Sequence, residues 1–417
     1  MIKRFSAYGF FKNQRYFEPF LLLYFLDLGL SFTRIGFLIA FREICINIAE
    51  IPSGALADIY GRRGSMVFSF IAYIISFIIF AFAQSFWLLL LAMLFFAIGD
   101  AFRTGTHKAM IFTWLRINDR IKEKSKVYGF TRSWSKIGSA ASIVIAVGLL
   151  LAGFNYRDIF LFSIIPYILG LINFASYPKE LDGEKDGNSN FREVIIHLKE
   201  SLRVSFKNSN LRRLVIEGMS YEGLFKAVKD YVQPIIQTMA IITPGLLALT
   251  SEQQSIVTIG IVYFFIAIFS ATASRQSHKI AEFAGDEEKG SKLIWYFTLL
   301  LFITMIPLVY FEYYYAAVIL FVLLNILQNI FRPLLISRFD NYSDEKKGAT
   351  IMSIESQAKT VATMIFAPVI GYSVDLTKQY QLGGDFWTVG LAGALMCLGI
   401  ILTFPKRKLS RSDKLAE

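Results

Sequence analysis

Two cysteines in 417 residues, Cys45 and Cys397, are too few for a disulfide framework. Both fall inside apolar runs and read as free thiols packed in helices. Histidine is equally scarce: the three present are scattered, so no zinc-spaced Cys/His set exists and no metal or other cofactor is expected. No G-x-x-x-x-G-K-[ST] loop occurs, which argues against ATP-driven pumping. No serine sits in a G-x-S-x-G frame, and no other enzyme signature is present. Charge is thin as well, at 18% of residues, against about 25% in soluble domains. The opening segment, MIKRFSAYGFFKNQRYFEPF, is basic and aromatic with no small-residue cleavage site before Phe17, so the first apolar run is expected to be kept as a span.

What is abundant is apolar sequence. Hydrophobic residues make up 55% of the chain, and they fall in runs near the ~20 residues that a helix needs to cross a bilayer. Twelve runs qualify, six between Phe17 and Tyr177 and six between Leu214 and Phe404. The expected class is therefore an all-α integral membrane protein with 12 transmembrane helices in two six-helix bundles. The expected division is residues 1–178 for the first bundle, 179–210 for a linker, and 211–417 for the second bundle and tail. Within the linker, Phe191, Val194, Ile195, Leu198, Leu202 and Phe206 share one helical stripe, which predicts an amphipathic helix on the membrane surface or against the bundle ends.

The net charge of +11 invites a nucleic-acid reading. Its distribution opposes that reading. Lys3, Arg4, Lys12, Arg15, Arg62, Arg63 and the Arg116–Lys126 group fall on one side of the runs, with the central segment and the tail. The other side holds only Arg34, Arg157 and Lys378. By the positive-inside rule both termini are cytoplasmic, in the cell's cytoplasmic (inner) membrane. Trp87, Trp114, Trp295 and Trp387 lie near run ends, where interfacial aromatics are expected.

The loop after the second run reads Gly54-Ala-Leu-Ala-Asp58-Ile-Tyr-Gly61-Arg62-Arg63. It resembles the signature loop of the major facilitator superfamily, G-x-L-A-D-x-x-G-R-R, at the position where that family carries it. Glu50-Ile-Pro-Ser-Gly54 also looks like a common bacterial branch. The resemblance covers essentially the whole chain and implies two bundles around a central cavity. It implies too that Gly54, Asp58, Gly61, Arg62 and Arg63 form a conformational latch on the cytoplasmic face. Chemistry suits the role: glycines permit tight turns, and charged side chains engage helix ends. The halves also echo each other, with Phe102-Arg103 matching Phe331-Arg332, and Arg132 and Lys136 matching Glu355 and Lys359. Two departures weigh against proton-driven drug efflux. Drug antiporters of this family carry an arginine four residues before a glycine in span four, where this chain has Phe95 before Gly99. They also carry a Gly-Pro pair in span five, which is absent here.

Ionisable residues inside the runs mark function, because a mid-membrane charge costs about 2.5–3.5 kcal/mol on insertion scales. Span four carries Asp100, Arg103, His107 and Lys108; span five carries Arg132 and Lys136. Asp100–Arg103, Arg103–His107 and Arg132–Lys136 are i,i+3 or i,i+4 pairs that can share a face, and Lys108 lies about a third of a turn from His107. Span seven offers Glu222, Lys226, Lys229 and Asp230. Span ten offers Asn325, Gln328, Asn329 and Arg332; span eleven offers Glu355, Gln357 and Lys359. Many of these can serve as ion pairs between helices, and Arg42 with Glu43 and Glu50 reads best that way. The cluster of spans four and five holds more bases than its acids balance, and an unpaired buried cation needs an anion. An anionic or acid-bearing solute is thus expected, held by Arg103, Arg132 and Arg332 with Lys108 and Lys136 adding charge. His107 is the one histidine within a span and a candidate proton carrier; Asp100, Glu50, Asp27 and Asp230 are others. Tyr24, Tyr128, Trp134, Tyr221 and Tyr231 are candidate lining aromatics. The expected function is secondary transport by a monomer in the lipid bilayer, with a small molecule and protons as partners. Efflux of drugs or lipids, or a sensor that binds without moving its ligand, are the alternatives.

Overall fold

The computed structural model describes residues 1–182, 209–242, 249–340 and 348–404; the expected linker helix lies outside them. The described residues are helical, joined by short turns, and sixteen α-helices are distinguished. Eight of these segments are long and apolar enough to cross a membrane by length and composition. The other four expected spans appear as broken helices, as a long helix with charges in it, or as the short apolar helix Trp387–Leu402.

The chain packs as two compact units. Unit 1 comprises Met1–Gly29, Phe41–Ile195 and Gly245–Ala267. Unit 2 comprises Leu30–Ala40, Ile196–Pro244 and Ile268–Glu417.

Unit 1 contains α1 (Ile2–Phe11), α2 (Leu21–Asp27), most of α3 (Phe32–Tyr60), α4 (Arg62–Phe82), α5 (Phe86–Arg103), α6 (Thr106–Ile117), α7 (Lys124–Leu151) and α8 (Asp158–Ala175). The expected first span is not one helix. From its expected start at Phe17 it holds only the 3-10 turn Glu18–Phe20 and the seven-residue α2, and a break over residues 12–20 separates α2 from α1 ahead of it. The fourth span also breaks. Thr104 is extended at ψ 128° and Gly105 takes φ +78°, a region that glycine enters at little cost. Small residues let the helices of this unit close on each other. Ser69 Oγ donates to Gly99 O at 2.6 Å and Ser76 Oγ to Ala92 O at 2.8 Å, tying α4 to α5. α1 lies on α7, where a β-carbon on Gly9 would meet Thr131 O at 2.8 Å and one on Gly138 would meet Phe10 O at 2.6 Å.

Unit 2 contains α9 (Ser209–Val228), α10 (Val232–Ile242), α12 (Ser277–Ala284), α13 (Glu287–Tyr310), α14 (Tyr314–Asp340), α15 (Gly348–Tyr380) and α16 (Trp387–Leu402); α11 (Ser251–Arg275) starts in unit 1 and ends here. Its described core is mainly aliphatic, with an aromatic cluster at Trp295. Trp295, expected at the interface, is instead fully buried, with ring centroids 5.1 Å from Tyr221 and 5.9 Å from Phe331. The seventh span breaks at Lys229–Tyr231, ahead of Pro234 where the proline rule would set a bend. The start of α3 belongs to this unit and is capped by Asp375, whose carboxylate accepts from Phe32 N at 2.9 Å and Thr33 N at 2.8 Å.

Candidate functional site

A cavity of about 410 Å³ opens within unit 1 between α1, α7 and the α5–α6 break. Lys12, Arg103, Lys108, Arg132 and Lys136 line it, with His107, and no carboxylate is in its lining. Each element delivers its charge for a local reason. Arg103 closes α5 in the last turn, where a cation suits the carbonyl-rich end. His107 and Lys108 sit in the first turn of α6, which begins without a side-chain cap. Arg132 and Lys136 are four apart on α7 and so face the same way. Lys12 follows the last residue of α1.

Arg103 is held from behind. Its Nη2 lies 3.0 Å from Asp100 Oδ1, and Arg15 Nη2 reaches the same oxygen at 3.3 Å. Tyr73 also donates to that oxygen while accepting from Arg15 at 3.0 Å and Arg103 at 3.1 Å. Arg15 further donates to Tyr167 Oη at 2.9 Å. Two guanidiniums therefore share one carboxylate, and Glu18 adds a second acidic charge near Arg15. Lys12 rests 5.3 Å from the Tyr8 ring, and Lys108 lies 5.6 Å from Phe112 and 5.8 Å from Tyr128, as cations rest on aromatic faces. Among the described residues, Lys12, Lys108, Arg132 and Lys136 make no ion pair. The His107 ring centroid is 3.9 Å from that of Tyr8, and its Nε2 is buried with no hydrogen-bond partner.

Five of the residues expected to bind substrate, Arg103, His107, Lys108, Arg132 and Lys136, are thus brought together, but Lys108, Arg132 and Lys136 are exposed rather than buried as expected. Lys12, Tyr8 and Asn13, also in the lining, were not expected. Lys12 had read as a cytoplasmic anchor, because its run of basic residues precedes the first apolar stretch. Tyr128 lines the cavity; Tyr24, Tyr221 and Tyr231 are buried in packing instead, and Trp134 is exposed outside the lining.

The other expected binding residues belong to unit 2. Arg332 Nη1 pairs with Glu222 at 3.0 Å, and Gln328 Nε2 donates to both Glu222 oxygens at 2.9 and 3.1 Å. Asn329 donates to Ser270 Oγ and to Asn325 Oδ1, each at 3.1 Å. Lys229 pairs with Asp230 at 3.0 Å in the broken seventh span. Glu355 is buried, while Lys226 and Lys359 are half-buried. Asp27 is exposed at the end of α2, and Glu50 is half-buried in α3. Missed altogether was the pairing at Arg338. This side chain is 1% exposed and binds Glu217 at 2.7 and 3.2 Å and Glu288 at 2.9 and 3.2 Å, while Arg213 engages both acids.

In the signature loop, Gly54 and Asp58 lie in α3 with their side chains outside the described residues. Gly61 has φ +91° and packs beside the Asp182 carboxylate, which accepts from Arg63 N at 2.7 Å. Arg62 donates to Thr113 Oγ1 at 2.8 Å and Arg63 to Tyr177 O at 3.2 Å, all inside unit 1.

A model of the family described as Major Facilitator Superfamily matches residues 5–353. A curated relative, the uncharacterized MFS-type transporter YxaM of Bacillus subtilis (strain 168), is 27% identical over 54% of this chain and 55% of its own length, so the match spans about half of either protein. Among solved structures, the nucleoside transporter NupG superposes with a TM-score of 0.77 at 12% identity, covering 97% of this chain and 99% of NupG. The D-xylose-proton symporter gives 0.70 at 13% identity, covering 97% of both chains. Peptide transporter POT in complex with sulfate gives 0.69 at 13%, covering 96% and 93%. At these identities the likeness speaks for the fold.

Proposed function

From the premise that the chain belongs to the major facilitator superfamily, we propose that it is a secondary transporter that moves an anionic or acid-bearing small solute by alternating access, with both termini on the cytoplasmic face. One observation carries the choice of cargo: the unit 1 cavity gathers five cationic side chains and no acid. A cavity for amphipathic drugs would be lined mainly by apolar groups. Here the polar side chains outnumber the rings of Phe5, Tyr8 and Tyr128. Arg103, Arg132 and Lys136 are assigned to the anion, with Arg103 supplying a guanidinium already oriented by Asp100. The pairing of Arg332 with Glu222 supports a structural or partner-exchanging role for Arg332, rather than a direct clamp in this conformation.

The test is uptake of anionic metabolites into liposomes holding the purified protein. Arg132→Gln is expected to lower uptake at least tenfold while the protein stays folded. Binding without any flux would instead make the protein a sensor. Full uptake in the Arg103→Gln and Arg132→Gln variants together would remove the cavity from the mechanism. His107, the one histidine in the cavity wall, is the titratable group assigned to proton coupling. A pH dependence of uptake that vanishes in His107→Gln is the expected sign.

A further inference from the structure

We infer that the cargo presents a phosphate-type dianion on an organic body and seats it at the break between α5 and α6; this rests on the anionic reading above. The first argument is charge. Arg15 and Arg103 both pair with Asp100, with Glu18 also acting on Arg15, and Lys12, Lys108, Arg132 and Lys136 add four cationic side chains with no acid in the cavity lining. A monocarboxylate offers one negative charge and two oxygens to this set. A phosphate monoester offers ~1.5–2 charges near pH 7 and three strong acceptor oxygens.

The second argument is the backbone. α6 is twelve residues long and starts after Gly105 with no side-chain cap. The first turn of a helix presents amide N–H groups that its own ladder leaves open, and such ends favour phosphate. Those amides belong to Thr106, His107 and Lys108, two of which also line the cavity through their side chains. His107 Nε2 supplies a further buried polar atom in want of a partner.

The third argument is size. Water occupies about 30 Å³ per molecule in the liquid, so an inorganic phosphate, a few waters' worth, leaves most of the 410 Å³ unfilled. Of the rings in the wall, Phe5 and Tyr8 are buried beneath it, and Tyr128 lies beside Lys108. Space beyond one anion suits a phosphate ester with an organic body rather than inorganic phosphate.

The experiment uses the full chain in phosphatidylcholine nanodiscs and reads thermal stabilisation by four probes: phenyl phosphate, inorganic phosphate, benzoate and phthalate. Phenyl phosphate is expected to bind at least tenfold more tightly than benzoate or inorganic phosphate, and more tightly than phthalate. The preference is expected to fall at least tenfold in Lys136→Gln and in Arg132→Gln, with the unliganded melting temperature unchanged. Equal binding of benzoate and phenyl phosphate, both lost in Arg132→Gln, overturns the phosphate inference and leaves the anionic reading standing. No binding or uptake of any anion overturns the anionic reading itself. Phosphatidic acid carries the same headgroup. Its inclusion in the disc separates the sources: competition with phenyl phosphate identifies a lipid cargo, and its absence a soluble one.

Discussion

Both units bury arginines in their helix packing, but they balance them differently. In unit 2, Arg213 and Arg338 face Glu217 and Glu288, two cations against two acids. In unit 1, Arg15 and Arg103 both pair with the single carboxylate of Asp100, and Glu18 acts on Arg15 without a direct ion pair to it. The unit 2 set is closed, with every charge answered by a side chain of the same unit, so it acts as a fastener. The unit 1 set is open, because Arg103 also borders a cavity with four more cations and no acid in its lining. Equal numbers of buried arginines can therefore mean opposite things, and the acids decide which.

The largest expected break in this contrast is Arg338→Leu. It strands two glutamates whose main partner is removed, and losing one side of a buried ion pair costs about 3–5 kcal/mol. Thermal unfolding in detergent should show a large loss of stability, with little effect on anion affinity in whatever protein remains folded. Asp100→Asn comes next. Arg15 and Arg103 are 17% and 22% exposed and keep their tyrosine partners, so the cost is closer to about 2 kcal/mol, the scale of a hydrogen bond to a charged group. Anion affinity should hold or rise, because the surplus grows. Arg132→Gln or Lys136→Gln should do the reverse, weakening anion binding about tenfold while stability stays within about 0.5 kcal/mol, as for surface changes. The smallest effect is expected for Arg120→Ala. Arg120 and Glu123 form a well-exposed pair with N–O distances of 2.8 Å. The hydrogen bond and charge of Arg120 hold Glu123 below the usual carboxylate range. Its contribution is present above that range and is lost as pH falls through the lowered value, so the variant should flatten only an acid-limb shoulder in melting temperature.

The helical class, the family signature and the cation cluster were legible because each is a local pattern: apolar runs, a ten-residue loop, and charges at i,i+3 or i,i+4. What stayed hidden was non-local. Arg338 and Glu217 are 121 residues apart, and Arg332 and Glu222 are 110 apart, so no periodicity connects them. Lys12 and Arg15 were read as anchors, because the positive-inside rule assigns basic residues beside a run to water. The break in the first span then folds that segment into the unit. Thr104-Gly105-Thr106 did carry a signal, a glycine among polar residues, but average hydropathy over a long window passes across it. Trp295 misled by sitting near a run end when its ring was needed under Tyr221 and Phe331.

The crossing of α1 over α7 at Gly9 and Gly138 leaves no room for a methyl group on either. That crossing sets how far Lys12 stands from Arg132 and Lys136. Enlarging either glycine would spread the three charges without deleting one. If the cavity is the cargo site proposed above, preference for a narrower or broader solute would be adjustable through two hydrogen atoms while every charged residue of the lining stays the same.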